Sequence, residues 1–210
     1  MEDSTQATGK IQYAVHNGSY IIKLNGDVRA VFCASIDSLL NTILTDEHLT
    51  GILIDLTAVN NIDSTSLGML AKIAVKTKEK LDTKPIIVSD NPDINRILDT
   101  MGFKKVFYIL SQVPIFVENK KNLPEGSEES RNFTLQDMLK EIPQVTITQQ
   151  ETCSKVLEAH RVLMDLNSSN KEIFKNVVDE LEKEQQRQKN SSQDCNDQIE
   201  NNPQSTFNHH

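Results

Sequence analysis

Three consecutive hydroxyls lie in the segment "IDLTAVNNIDSTSLGMLAKIA", residues 54–74. The apolar run at the start of this segment ends at Asp55, and a polar turn is predicted after it. Ser64, Thr65 and Ser66 follow Asp63 directly at the end of this turn, where apolar residues at helical spacing begin. Asp63 or Ser64 at that position is suited to cap the helix. The same helix N-terminus also suits an anion, so a phosphorylated hydroxyl would be held there at little structural cost. The residues therefore predict an exposed helix start that is either an ordinary cap or a modification site.

Nucleophilic catalysis by these hydroxyls would require a base within hydrogen-bond reach. The sequence has no G-x-S-x-G elbow, and neither His16 nor His48 is an obvious partner. Asp55 ends an apolar run and Asp63 is the expected cap, so the two carboxylates do not predict an acid–base pair. P-loop and G-x-G-x-x-G motifs are absent as well. We therefore expect a protein that is not an enzyme, and an enzyme would need an organised base beside the hydroxyls.

Composition argues against several other classes of function. The net charge is −8 and the 22 Lys and Arg residues form no cluster, so direct nucleic-acid binding is not expected. Cys33, Cys153 and Cys195 are widely spaced and odd in number, which predicts neither a disulfide framework nor a metal site. We expect no cofactor. No apolar run approaches the roughly 18 to 20 residues of a membrane span, so we expect a cytoplasmic protein that does not contact membranes.

Apolar periodicity predicts an α/β domain over residues 9–112. Asn17-Gly18 between two alternating runs predicts a β-hairpin, and continuous apolar runs that alternate with helical patterns predict a mixed sheet with helices packed on it. The predicted strands are 11–15, 19–24, 51–56, 85–90 and 105–109. The predicted helices are 31–44, 64–80 and 91–102, the last with Asn91 as its N-cap.

The rest of the chain divides by composition. Two helical patterns, broken by "NSSN" and with Ser169–Glu172 at capping-box spacing, predict a helical hairpin rather than one long helix. A further short helix is expected at 134–142, ended by Pro143. The predicted boundaries are a disordered N-terminus at 1–8, the α/β domain at 9–115, a linker at 116–132, a helical extension at 133–187 and a disordered tail at 188–210.

The segment "GILIDLTAVNNIDSTSLGMLAKI" resembles the core motif of the STAS domain, the fold of bacterial anti-sigma factor antagonists. In that family a strand ending in D-L is followed by a loop, then by D-S-[ST]-G-L-G and a helix. The matching residues are Asp55-Leu56, Ile62-Asp63-Ser64-Thr65 and Leu67-Gly68. "LNGDV" at 24–28 is similar to the family's L-x-G-[ED]-[LV] signature, and the order of elements over residues 10–112 agrees.

The resemblance implies a partner switch without catalysis by this chain. The second hydroxyl of the triplet, here Thr65, would be phosphorylated by a partner kinase, with Ser64 and Ser66 as fallback acceptors. The unphosphorylated form would bind an anti-sigma factor or serine/threonine kinase, and phosphorylation would block that binding. A PP2C-type phosphatase or response regulator would be the further partner. Leu67, Gly68 and Met69 are the expected contacts.

Two residues depart from the family pattern. Ser66 replaces the usual Gly, which adds a competing hydroxyl acceptor, and Arg29 stands where many members have Asp. We expect Asp27, Arg29 and Asp63 to surround the modified residue. Some STAS domains work without phosphorylation, in anion transporters and lipid-transport complexes. A scaffold or adaptor subunit of a transporter or regulatory complex is therefore the alternative.

The helical extension is not part of a minimal STAS antagonist. It is expected either to pack on the sheet domain or dimerise, or to form a second docking surface that competes with or mimics a partner's helix. Its predicted contacts are Met164, Phe174, Val177 and Leu181. His160 and Arg161 are expected on the helix surface. The sequence leaves a homodimer open.

Overall fold

The computed structural model describes residues 9–112 and 138–200, with side chains up to residue 188. The predicted linker at 116–132 and the N-terminus at 1–8 lie outside the described residues. The described strands are β1 (Lys10–His16), β2 (Ser19–Val28), β3 (Gly51–Ile62), β4 (Ile86–Val88), β5 (Tyr108–Leu110) and β6 (Lys140–Glu141). The helices are α1 (Cys33–Thr45), α2 (Ser64–Leu81), α3 (Pro92–Thr100), α4 (Gln149–Leu166) and α5 (Ser168–Glu200).

The strands form one mixed sheet in the order β5-β4-β3-β2-β1-β6. β1 pairs antiparallel with β2 and with β6, whereas β2, β3, β4 and β5 are parallel neighbours. Asn17 and Gly18 both have positive φ, as the predicted hairpin turn requires. The hairpin followed by βα units confirms the predicted fold class.

The predicted polar turn after β3 is wrong, because β2 and β3 pair well beyond the predicted ends. β2 continues to Val28 and β3 to Ile62, with irregular register near Gly26. This pairing satisfies the backbone groups of a segment whose polar side chains suggested a loop. It places Val28 beside Ile62, so the chain leaves both strands at one edge of the sheet.

Most of the core lies on the face of the sheet that the helices cover. Because successive strand residues point to opposite faces, Ile22 and Ile54 join the main cluster, whereas Ile21 and Leu53 belong to a second, smaller one. The main cluster also contains apolar residues of the extension, namely Ala159, Leu163, Leu166 and Phe174. The extension is thus built into the same core as the sheet domain.

The extension differs from its prediction at its start. Lys140–Glu141 is a strand paired with β1, and the Ile142 N–H donates to the Ile11 carbonyl. The predicted helix at 134–142 is therefore wrong at its C-terminal end, while residues 134–137 lie outside the described part. The edge of β1 supplies the backbone partners that the local pattern could not indicate.

The predicted helical hairpin is confirmed. α4 begins with a capping box between Thr148 and Glu151, and α4 and α5 are joined through Asn167. The Asn167 side chain accepts a hydrogen bond from the Asn170 N–H at 2.8 Å, so Asn167, and not Ser169, caps α5. The helices pack along each other, with an Arg161–Glu182 ion pair at 2.7 Å.

The backbone of α5 continues to Glu200, past the point where the disordered tail was predicted to begin at 188. No Gly or Pro occurs between residues 168 and 200, so nothing in the sequence breaks the helix before Pro203. Residues 201–210 lie outside the described part. Among the helices that the structure describes, none combines the length and apolar composition that a membrane span requires.

Candidate functional site

Asp63 holds the start of α2 against the end of β2. One carboxylate oxygen accepts a hydrogen bond from the Ser66 N–H at 2.7 Å, which confirms the predicted cap. The other oxygen accepts from the Ala30 N–H at 2.7 Å, and the Asp63 N–H donates to the Val28 carbonyl at 3.1 Å. A single side chain therefore fixes both the helix start and the turn after β2.

The hydroxyls that follow Asp63 are not open to solvent, and the prediction of an exposed helix start is wrong. Thr65 is only 6% exposed and Ser66 is fully buried, whereas Ser64 is half-buried. The Ser66 hydroxyl has no hydrogen-bond partner among the described residues. Nothing in the structure explains why Ser66 replaces the family's glycine.

Ser64 forms a hydrogen bond with a histidine of the extension. The Ser64 Oγ lies 3.0 Å from the His160 Nε2, and the His160 Nδ1 lies 2.8 Å from the Val156 carbonyl. Because a carbonyl can only accept, Nδ1 carries the proton, and in the neutral ring Nε2 accepts from the Ser64 hydroxyl. His160 is 3% exposed, so its predicted place on the helix surface is wrong.

The sequence did not indicate a base beside the hydroxyls, but the structure places the His160 ring next to Ser64. This serine–histidine pair lies in a contact between two helices, and a backbone carbonyl, rather than a carboxylate, orients the ring. The Phe174 and His160 rings pack in an edge-to-face arrangement, with the ring centres 5.3 Å apart. The described geometry therefore makes the pair a link between α2 and α4.

Helix α4 approaches α2 closely at Gly68. A methyl group added at Gly68 would overlap the backbone carbonyl of Ala159. Leu67 and Met69, the two other contacts predicted for a partner, are buried together with Gly68. The face predicted to meet a partner is thus within the core, and α4 occupies the part of it around Gly68.

Ion pairs continue this contact along α2. The Lys72 ammonium lies 2.6 Å from Asp37 of α1 and 2.8 Å from Glu158 of α4, and Lys155 of α4 also pairs with Asp37. Burial disfavours the charged form of Asp37, but hydrogen bonds from Lys155 and Lys72 outweigh it and hold the pKa of Asp37 below its usual value. Burial likewise opposes the charge on Lys72, yet its two carboxylate partners raise its pKa.

Asp27 and Arg29 lie at the same sheet edge as Asp63 because β2 and β3 are paired there. Asp27 accepts from the Asn61 amide at 2.9 Å and pairs with Arg29 at 3.1 Å. These two hydrogen bonds, the one from Asn61 being the stronger influence, lower the pKa of Asp27. The Arg29 side chain is largely exposed, so its guanidinium is available at this edge.

The four residues predicted as contacts of the extension separate into two groups. Phe174 is 7% exposed and belongs to the core, and Met164 is half-buried against it. Val177 is 42% exposed, and together with Leu181 it lines an open groove of about 560 Å³ on α5. Of the four, only Val177 is exposed, and Leu181, like Met164, is half-buried.

Cys33, the first residue of α1, is buried near Asp63. Burial, reinforced by the negative charge of Asp63, raises the pKa of the Cys33 thiol to about 12. The thiol therefore stays protonated at neutral pH. Within residues 9–112 and 138–188, no three His, Cys, Asp or Glu side chains are grouped so that they could hold a metal ion.

The chain is similar to known proteins over its sheet domain. The STAS domain family model matches residues 10–119, which is more than half of the chain. An anti-sigma factor antagonist from Mycobacterium paratuberculosis is 21% identical and has a TM-score of 0.45, covering 50% of this chain and 88% of its own. The anti-sigma factor antagonist SpoIIAA in its unphosphorylated form is 14% identical and has a TM-score of 0.42, covering 49% and 89%.

The Bacillus cell fate determinant SpoIIAA in its phosphorylated form is 14% identical and has a TM-score of 0.41, covering 49% of this chain and 92% of its own. No curated protein sequence matches the chain. The family-model match, over the residues that form the hairpin and the βα units, shows that the chain belongs to the STAS domain family.

Proposed function

We propose that this protein is a non-enzymatic anti-sigma factor antagonist that acts by partner switching and is controlled by reversible phosphorylation, with Thr65 as the acceptor. The observation that carries the proposal is the place of Thr65. It is the second residue of α2, directly after the Asp63 cap, in the triplet Asp63-Ser64-Thr65 of a STAS domain. A phosphate there would meet the positive end of the helix dipole.

In this proposal the unphosphorylated protein binds an anti-sigma factor or serine/threonine kinase in the cytoplasm. Phosphorylation adds roughly two negative charges at the start of α2 and blocks that binding. A PP2C-type phosphatase or response regulator completes the switch. Arg29 is exposed, pairs with Asp27 and directly precedes Ala30, whose N–H donates to Asp63. In this proposal its positive charge affects how the kinase recognises the site.

The test combines phosphate mapping with partner capture. The full-length protein, isolated from the cells that make it, is mapped by mass spectrometry, and wild type and Thr65→Asp are used as baits. We expect phosphate on Thr65 and a partner that binds wild type but not the variant. Ser38→Asp, at an exposed position of α1, is the matched acidic control and should retain the partner. Phosphate found only on linker or tail hydroxyls would contradict the proposal.

A second candidate function is a scaffold or adaptor subunit that works without phosphorylation. The burial of Thr65, which is 6% exposed, and the attachment of the extension to the sheet domain favour it, because a kinase would reach this residue only after a rearrangement. A partner captured equally by wild type and Thr65→Asp would support this candidate over the first.

A further inference from the structure

We infer that the first turns of α2, the face that would receive a partner, are occupied in this chain by its own helix α4. The extension is then a competitor in cis that must detach before a partner or kinase can reach the site. This inference rests on the proposed function for its biological meaning, but the contact itself is tested independently.

The contact follows one ridge of α2. Ser64, Gly68 and Lys72 recur every four residues and therefore lie on one side of the helix. Each of them meets α4: Ser64 bonds His160 at 3.0 Å, Gly68 faces the Ala159 backbone, and Lys72 pairs with Glu158 at 2.8 Å. Thr65 lies three residues before Gly68 and therefore flanks this ridge of α2.

Gly68 makes the close approach possible. A glycine inside a helix lowers helix stability relative to alanine, so a packing reason is expected for it. The absence of a side chain lets the Ala159 backbone lie where a β-carbon would stand. The surface thus fits a helix that presents backbone or a small residue at the closest point, and α4 is such a helix.

The extension is fastened on both sides of this contact. Before α4, the Ser35 hydroxyl donates to the Pro143 carbonyl at 3.0 Å and accepts from the Val145 N–H at 2.9 Å. After α4, the Lys105 ammonium donates to the Leu166 carbonyl at 2.9 Å, and the Asn170 amide donates to the Met101 carbonyl at 3.0 Å. The segment therefore runs from the β1 edge across α1 and α2 to the end of α3.

Occupation in cis controls how strongly a partner binds. When only a fraction of the molecules has α4 detached, the apparent affinity for a partner is the intrinsic affinity multiplied by that fraction. A substitution outside α2 that detaches α4 should therefore raise partner affinity. Asp37 offers such a change, since it lies on α1 and pairs with Lys72 and Lys155.

The test is hydrogen–deuterium exchange of the full-length protein followed by mass spectrometry. In Gly68→Ala, peptides from residues 149–166 should exchange about tenfold faster or more, because detached helices lose protection. Peptides from β3 and α3 should keep their wild-type rates. Gly51→Ala is the matched control, since its β-carbon would meet only the Ser19 Oγ at 3.9 Å, and it should behave as wild type.

Wild-type protection of α4 in a folded Gly68→Ala protein would overturn the inference. If Gly68→Ala loses protection in every peptide, Asp37→Asn is the deciding variant, because it substitutes a residue of α1 and none of α2 or α4. Faster exchange confined to the extension in Asp37→Asn supports occupation in cis, and an unchanged rate overturns it.

The two proposals fail in different ways. Suppose that capture of a partner depends on Thr65, but that neither Gly68→Ala nor Asp37→Asn changes the exchange rate of α4. The inference that α4 covers α2 is then wrong, while the proposed function stands. An α4 that detaches as expected, in a protein whose Thr65 is never phosphorylated and affects no partner, removes only the proposed function.

Discussion

Helices α2 and α3 begin in the same way but differ in their surroundings. Each follows a parallel strand and is capped by a side chain, Asp63 for α2 and Asn91 for α3. The second residue of α3, Asp93, has a side chain that is 78% exposed, whereas the equivalent residue of α2, Thr65, is 6% exposed. Local sequence thus sets where a helix starts, while packing decides whether its first turn is accessible.

Substitutions that change the charge at the second helical position should give the largest difference in unfolding free energy between α2 and α3. Thr65→Asp puts a carboxylate into a buried first turn, and we expect a loss of about 2 to 3 kcal/mol in unfolding free energy despite the favourable dipole. The reverse exchange at α3, Asp93→Thr, should cost only about 0.3 to 1 kcal/mol. Urea unfolding of both variants measures the difference, and equal losses would mean that Thr65 is not buried in solution.

Removal of the helix cap should also cost more stability at α2 than at α3, but with a smaller difference. Asp63→Ala removes the acceptor of two short hydrogen bonds, from Ser66 and Ala30, so we expect a loss of about 2 kcal/mol. The Asn91 side chain accepts from the Asp93 N–H at 2.9 Å and from the Ile94 N–H at 3.4 Å. Asn91→Ala should therefore cost about 1 kcal/mol. Urea unfolding of the two variants checks this, and a larger cost at Asn91 would contradict it.

Acid should weaken the attachment of α4 through Asp37. The pKa of Asp37 is lowered in the folded protein, so its stabilising contribution is fully present above its ordinary value of 3.8 and is lost as pH falls through the lower, folded value. Wild type should therefore lose more stability than Asp37→Asn does as the pH falls below about 4. Urea unfolding at each pH tests this.

Asp93→Asn is the control for Asp37 at α3. Its exposed pair with Arg96 contributes at most about 1 kcal/mol, so the variant should stay close to wild type at neutral pH. An Asp37→Asn protein with the acid dependence of wild type would show that the ion pairs do not hold α4.

The sequence predicted what depends on near neighbours. The Asn17-Gly18 turn, the Asp63 and Asn91 caps, and the alternation of strands and helices all follow from residues a few positions apart. The hydrogen bond between Ser64 and His160 joins residues 96 positions apart and depends on where the extension packs. No local pattern in "LEAHRVLMDL" distinguishes a buried His160 from an exposed one.

Two wrong predictions, the turn after β3 and the helix over residues 140–141, had the same cause. Residues 57–62 and 140–141 form strands because β2 and β1 offer free edges, although their own composition indicates a turn and a helix. One signal for the α2–α4 contact was present, namely Gly68 within a helical pattern. A helical glycine indicates close packing, but it does not identify the segment that packs there.

The most direct test of the account is the state of the His160 ring in solution. A long-range ¹H–¹⁵N spectrum of the histidine-labelled, full-length protein should show His160 with its proton on Nδ1, because that nitrogen donates to the Val156 carbonyl. Ser64→Ala should shift the Nε2 resonance, since it removes the hydroxyl at 3.0 Å, whereas the exposed-site control Ser38→Ala should leave it unchanged. A His160 spectrum that does not respond to Ser64→Ala would contradict the claim that α4 occupies the start of α2.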